Sequence, residues 1–265
     1  MASYFWLTAS MLRAYKSCPK KYWFDYVQQL KPAETPEALA MGSSYHNCLE
    51  HIIRGEEYTP DTPIIGIMAE AWKKYIPFHE WDIEAPEVMF EQKLKNSRLA
   101  LKGKMDAVCR DGSIVEHKTT RNTLDDKYLA NLAMDDQVSF YLLAQSMKLG
   151  RPITTVHYTA IQKPTIRQKA SETEEDFLER LAGWYTEDKV KSFTVTRNER
   201  DLQEFYDEIS ELYKEIKHRK LFYRNPSHCN ILGCQFASIC QNYDPELMTG
   251  FVKKTSQNEE LEVKF

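Results

Sequence analysis

The chain has 265 residues, 42% of them hydrophobic, enough for a sizeable core. Its 35 basic and 39 acidic side chains leave a formal charge of −4, which argues against a general nucleic-acid coat but allows a local basic cleft beside acidic ligands. No segment is apolar and long enough to span a bilayer, and the opening MASYFWLTASMLRAYK lacks a signal-peptide pattern, so a cytoplasmic protein with reduced thiols and no membrane partner is expected.

Residues 8–28 read as helical. Thr8 and Ser10 are N-cap candidates, Leu12, Tyr15, Tyr22, Trp23 and Tyr26 give an aromatic-rich face, and Pro19 splits or kinks the run. A second helix is predicted over 36–54, with Met41, Tyr45, Leu49 and Ile52 at helical spacing, and a short third over 65–76. The pattern then changes to alternation. Strands are predicted over 87–95, 99–110 and 113–118, with Asp111-Gly112 as a hairpin turn. A helix over 125–149 ending at Gly150, a strand over 153–162, a helix over 172–189, a strand over 193–197 and an amphipathic helix over 199–222 follow. Strands flanked by helices on both sides predict an α/β domain with a mixed central sheet. Residues 1–249 are expected to form a single domain, and 250–265 a polar, loose tail.

The strongest chemical signal is LKGKMDAVCRDGSIVEHKTT, residues 101–120. Glu116 and Lys118 are two apart on a strand, so they share a face. The hairpin can bring Asp106 beside them. Two carboxylates and an amine at one point suit phosphodiester hydrolysis. Hard oxygen ligands hold Mg²⁺ or Mn²⁺, the ion activates its water, and Lys118 positions that water or steadies the developing charge. The bland alternative is an exposed hairpin with an ordinary Glu/Lys pair. His46 lies on a helix upstream, and Gln137 and Tyr141 lie four apart on one helix face downstream.

These elements carry a resemblance. GxxxH at Gly42–His46, GxxD at Gly103–Asp106, ExK at Glu116–Lys118 and QxxxY at Gln137–Tyr141 run in order. In this the chain resembles the RecB-type branch of the PD-(D/E)xK nucleases, which includes the CRISPR-associated Cas-four exonucleases and phage homologues. The opening LTASMLRAYKSCPKKYWF is also similar, and the likeness extends over residues 7–240. It implies a restriction-endonuclease-like core with a mixed central sheet flanked by helices, a helical N-terminal part and a C-terminal cysteine cluster. It also implies that His46, Asp106, Glu116 and the carbonyl of His117 bind the metal and that Lys118 is the catalytic lysine. Gln137 and Tyr141 would orient the active-site helix or touch DNA. Glu91 is a further acidic candidate on the preceding strand.

Cys229, Cys234 and Cys240 cluster in HCNILGCQFASIC, and Cys18 stands alone near the start. Soft thiolates so close together suit a metal or cluster site with Cys18 as fourth ligand; the alternative is a set of small buried hydrophobes. In the family that the chain resembles, one N-terminal and three C-terminal cysteines hold a [4Fe-4S] cluster. The first C-terminal gap is wider here, at four residues, so zinc stays open. Cys48 and Cys109 read as core residues.

Candidate phosphate contacts are Lys93, Lys95, Arg98, Lys102, Lys104 and Arg121, with a second basic group at Lys214, Lys217, Arg219, Lys220 and Arg224. The N-terminal aromatics could stack unpaired bases. The function expected is a metal-dependent DNA exonuclease on single strands or duplex ends, in recombination, repair or CRISPR-type processing, alongside a protein of such a pathway or as a homo-oligomer. The alternative is an idle or partner-activated DNA-end-binding iron–sulfur subunit.

Overall fold

The structure is a computed structural model that describes residues 4–34, 37–242 and 245–261. Its contacts divide the chain into two units, one of residues 37–90 and 104–203, the other of residues 4–34, 91–103, 204–242 and 245–261.

The first unit is built on a mixed sheet. Strand β3 (Ile83–Lys93) begins in it and pairs with β4 (Leu99–Cys109), whose Lys104–Cys109 half belongs here. β4 runs antiparallel to β5 (Ile114–Thr120), with Ala107 opposite Val115. Gly112 makes the turn between them at φ +90°, where a side chain would strain the backbone, and the Asp111 carboxylate accepts from the Ser113 N–H at 2.8 Å. β5 runs parallel to β6 (Thr155–Gln162), with Glu116 opposite Tyr158 and Lys118 opposite Ala160. β6 pairs antiparallel with β7 (Val190–Thr196).

A parallel pair needs a crossover, and here it holds two helices, α5 (Asp126–Leu132) and α6 (Asp136–Leu149). The sequence predicts one helix over this stretch. Asp135 divides it: its side chain accepts from the Gln137 N–H at 2.8 Å and caps α6. Gly150 closes α6 in the left-handed region, as expected.

Helices α3 (Glu37–Arg54), α4 (Pro63–Tyr75) and α7 (Glu174–Trp184) share a core with the sheet that includes Tyr45, Leu49, Met68, Trp72, Ile161, Leu181 and Val190. α7 ends well before Lys189; Tyr185 caps it in extended backbone and a single 3₁₀ turn, Glu187–Lys189, leads into β7. β5 shows how the sheet serves both faces. His117 packs edge-on against Trp72 of α4, with ring centroids 5.3 Å apart, while Glu116 reaches Gln137 of α6. Cys48 and Cys109 are buried, as read from the sequence.

In the second unit Thr8, not Ser10, caps α1 (Ala9–Ser17), and Pro19 opens α2 (Pro19–Tyr22), which runs on into a π turn, Trp23–Val27. β1 (Phe5–Leu7) pairs parallel with Leu99–Leu101. α8 is Glu199–His218, and its Glu215 accepts from the Tyr15 hydroxyl at 2.9 Å. Residues 251–253, expected within a loose tail, form strand β8 (Phe251–Lys253) against β2 (Leu30–Pro32), and the Lys31 ammonium meets Glu259 at 2.6 Å. The ribbon forms because its strands join an apolar cluster of Phe24, Leu30, Phe236, Ile239 and Phe251.

Candidate active site

The two edges of the β4–β5 hairpin bring acids together. Asp106 on β4 is fixed at both oxygens. Oδ1 lies 3.2 Å from His46 Nδ1 of α3, and Oδ2 accepts from the His117 N–H at 2.7 Å. Glu116 on β5 is 3% exposed. Its Oε1 accepts from Lys118 Nζ and, at 2.9 Å, from Gln137 Nε2. Gln137 also donates to the Tyr141 hydroxyl at 2.9 Å. The other Glu116 oxygen, Oε2, is buried without a hydrogen-bond partner. Six residues named by the ordered motifs of the sequence, His46, Asp106, Glu116, Lys118, Gln137 and Tyr141, thus form one linked set. His117 joins it through its backbone. Its ring is turned away, with Nδ1 2.8 Å from Thr159 Oγ1, a hydroxyl that also accepts from Trp72 Nε1 at 3.2 Å.

The electrostatics follow from burial and crowding. Burial works to raise the Asp106 carboxyl, but the His46 cation and its hydrogen bond, then His117 and Lys118, hold it well below the ordinary range. Burial works to lower the His46 ring, and Asp106 outweighs it, so His46 titrates above its usual value. Burial and then the Asp106 charge push the Glu116 carboxyl up, against the pull of Lys118. Burial brings the His117 ring down to about 3, so it stays neutral.

One further acid belongs here. Ligand atoms of His46, Glu87 and Asp106 all lie within 4.8 Å of one another. Glu87 sits on β3 at φ +54°, a left-handed conformation that costs a residue with a side chain about 1–3 kcal/mol. Its carboxylate meets Lys104 Nζ. Burial pushes it up, and Lys104 draws it down. Glu91, the acid singled out on this strand from the sequence, instead pairs with Lys102 at 3.3 Å in the other unit. The two acids look alike in an alternating strand; only the positive φ separates them.

This donor set fits a divalent cation. It joins an imidazole to two carboxylates, and Glu116, linked to the same site through Lys118 and Gln137, keeps a buried oxygen without a partner.

The four cysteines lie in the second unit. Cys18, Cys229, Cys234 and Cys240 line one cavity of about 280 Å³, with Lys21, Phe24 and Arg224 among its walls. Cys18 sits between α1 and α2, Cys229 on α9 (Pro226–Leu232) and Cys240 on α10 (Ala237–Asn242). The Asn225 N–H points to Cys18 Sγ at 3.4 Å. Four thiols around one space fit a metal or cluster.

Several of the candidate phosphate contacts sit in ion pairs within their own unit. Lys102 and Lys104 are engaged with Glu91 and Glu87, Lys214 with Glu211, and Arg219 with Glu215 and Tyr15. Tyr15, Tyr22, Phe24 and Tyr26 are buried, and Tyr22 stacks on Tyr26 and Phe222. These four rings build a core and are not open to bases, while Trp23 is half-buried with the Lys20 ammonium over its ring. The apolar area the four rings bury in the unit decides their place.

A mixed sheet that carries a D…ExK set between its helices defines a nuclease of the PD-(D/E)XK class. The chain belongs to the PD-(D/E)XK nuclease superfamily, whose pattern it matches over residues 7–241. None of the curated proteins matches it in sequence. Among solved structures it is similar to a candidate exonuclease from Eubacterium rectale, at 12% identity and a TM-score of 0.52, covering 86% of this chain and 93% of that one. It is also similar to an alkaline exonuclease from Laribacter hongkongensis, at 10% identity and a TM-score of 0.34, covering 80% of this chain and 87% of that one. Among the described residues no helix is long and apolar enough to cross a membrane.

Proposed function

We propose that this protein is a metal-dependent DNA exonuclease, acting on single strands or duplex ends. The observation that carries the reading is the convergence of His46, Asp106, Glu116 and Lys118, with a buried Glu116 oxygen left unmatched.

Asp106, Glu116, His46 and the His117 carbonyl would hold Mg²⁺ or Mn²⁺. When bound, such an ion polarises the phosphodiester and makes its water a stronger acid. Asp106 keeps its charge at neutral pH because His46 and the His117 N–H stabilise it. Lys118 holds the attacking water and stabilises the negative charge that gathers on the phosphate oxygens. The water oxygen adds to phosphorus and gives up a proton to solvent, the bridging P–O bond breaks, and the leaving oxygen takes up a proton from solvent. Gln137 fixes the Glu116 carboxylate from α6, and Tyr141 in turn fixes Gln137. Gln137→Ala is therefore expected to slow cleavage about 10–100-fold with the fold intact, as loss of a residue that orients a ligand does. Rates on end-labelled DNA beside circular dichroism check it; an unchanged rate would remove Gln137 from the site.

Cys18, Cys229, Cys234 and Cys240 would hold a [4Fe-4S] cluster, with zinc as the alternative, and the group would be structural. Their shared cavity supports this. Protein purified without oxygen should be brown with about four iron atoms per chain, and Cys234→Ser should lose the colour. A colourless protein with one zinc ion would replace iron by zinc.

The substrate is tested with linear duplex, single-stranded and covalently closed circular DNA. Degradation of linear or single-stranded DNA with the closed circle intact supports an exonuclease. Cutting of the closed circle overturns it.

A further inference from the structure

We propose that Arg197, which touches none of the site's ionisable side chains, is a positioning residue that holds Gln137 on the Glu116 carboxylate. This rests on the metal-dependent nuclease reading and deepens it.

Arg197 is a buried cation. It follows the last residue of β7 and is 7% exposed. A cation so placed is costly unless its donors are met. Burial works against the charge of the guanidinium, and the carboxylates of Asp201, Asp135 and Asp136 work for it. All of its nitrogens donate. Nη1 donates to the Thr196 carbonyl of β7 at 2.9 Å. Nη2 donates to the Leu132 carbonyl, the last of α5, at 3.0 Å and reaches the Asp135 carbonyl at 3.5 Å. Nε donates to the Ser139 hydroxyl of α6 at 3.0 Å. One rigid plane thus joins a strand end to two helices.

The places of these contacts along the chain give them a function. Asp135 and Ser139 stand two residues before and two residues after Gln137. Arg197 therefore touches the start of α6 on both sides of the residue that donates to Glu116 Oε1 at 2.9 Å. Its own backbone is fixed to the sheet, because the Arg197 N–H donates to the Thr154 carbonyl at 2.9 Å. β7 pairs with β6, and β6 with β5, which carries Glu116. The same sheet thus holds Glu116 and, through Arg197, the helix that meets it. The break between α5 and α6 is where this crossover would otherwise give, since a helix end leaves carbonyls unmatched. A slip of about 1 Å in a group that orients the reacting atoms is enough to cost rate.

The test is a double-mutant cycle on the full chain, read as single-turnover cleavage of end-labelled DNA and as denaturant midpoints. Arg197→Lys keeps the charge but cannot span the acceptors. It is expected to slow cleavage about 10-fold. In a Gln137→Ala background the same change is expected to slow cleavage less than about 2-fold, because the group that it positions is gone. Its cost to the midpoint should be alike in both backgrounds, which separates positioning from a general weakening of the fold. Ser139→Ala is the second variant. It removes one bond to the guanidinium, keeps the fold if Arg197→Lys does not, and is expected to slow cleavage about two- to five-fold, again only when Gln137 is present. A folded Arg197→Lys chain that cleaves at the wild-type rate, or that is slowed equally with and without Gln137, overturns the proposal and leaves the nuclease reading standing. If only Ser139→Ala folds, the same two outcomes in that variant overturn it. A wild-type chain that cuts no DNA overturns both.

Discussion

Lys118→Ala is expected to lower the rate of DNA cleavage about 10²–10³-fold while Mn²⁺ still binds. The residue lies two positions beyond Glu116, on the same face of β5, and its ammonium meets Glu116. It is a cation placed directly on the acid that the site leaves half-matched. An ammonium there acts on charge that appears only as water adds to phosphorus, so its loss falls on the rate and little on metal affinity. Removing it also leaves Glu116 more strongly opposed by Asp106. The check is a single-turnover rate beside a Mn²⁺ titration. A variant that cleaves at the wild-type rate would place the chemistry elsewhere.

Glu116→Gln is expected to abolish measurable cleavage and to stabilise the metal-free protein at pH 8 by about 1–3 kcal/mol. The sign follows from the direction of the shift. Burial, then Asp106, raises the folded Glu116 carboxyl above its unfolded value. The stability linked to its proton is complete below the unfolded value and is lost as pH climbs through the folded one. The loss in the wild-type chain therefore runs upward from about 4.5 toward about 7. Gln carries no such charge and keeps that stability. Denaturant midpoints in EDTA at pH 4 and pH 8 read the effect. The variant and the wild type should converge at the lower pH and separate at the higher. An equal difference at both would mean that the burial of Glu116 carries no electrostatic cost.

Much of this site was legible because a hairpin and a two-residue period are local facts. Asp106, Glu116 and Lys118 needed only the turn at Asp111-Gly112 to meet. His46, Gln137 and Tyr141 lie on helices distant in sequence. Spacing alone could not bring them in, and the ordered likeness to a family did. The place of Glu87 beside His46 and Asp106 was not legible, because it depends on a backbone angle that an alternating strand pattern does not show, and Glu91 looks the same in sequence. The break between α5 and α6 was missed because the apolar period runs on through Asp135, whose side chain caps a new helix. The three-residue strands β1, β2 and β8 are too short to show a period; β1 exists by pairing with β4, β2 by pairing with β8. Tyr15, Tyr22 and Tyr26 share a helix face that the core of their own unit claims, and a helical period alone does not tell a buried face from one open to bases.

The measurement that bears most directly on the central claim is DNA cleavage by the wild-type chain with Mg²⁺, with Mn²⁺, and with EDTA, on 5′- and 3′-labelled strands. The account predicts cleavage with either ion, none in EDTA, and recovery when excess Mn²⁺ is returned. Cleavage that persists undiminished in EDTA, or a folded and Mn²⁺-loaded chain that cuts no DNA, would contradict it.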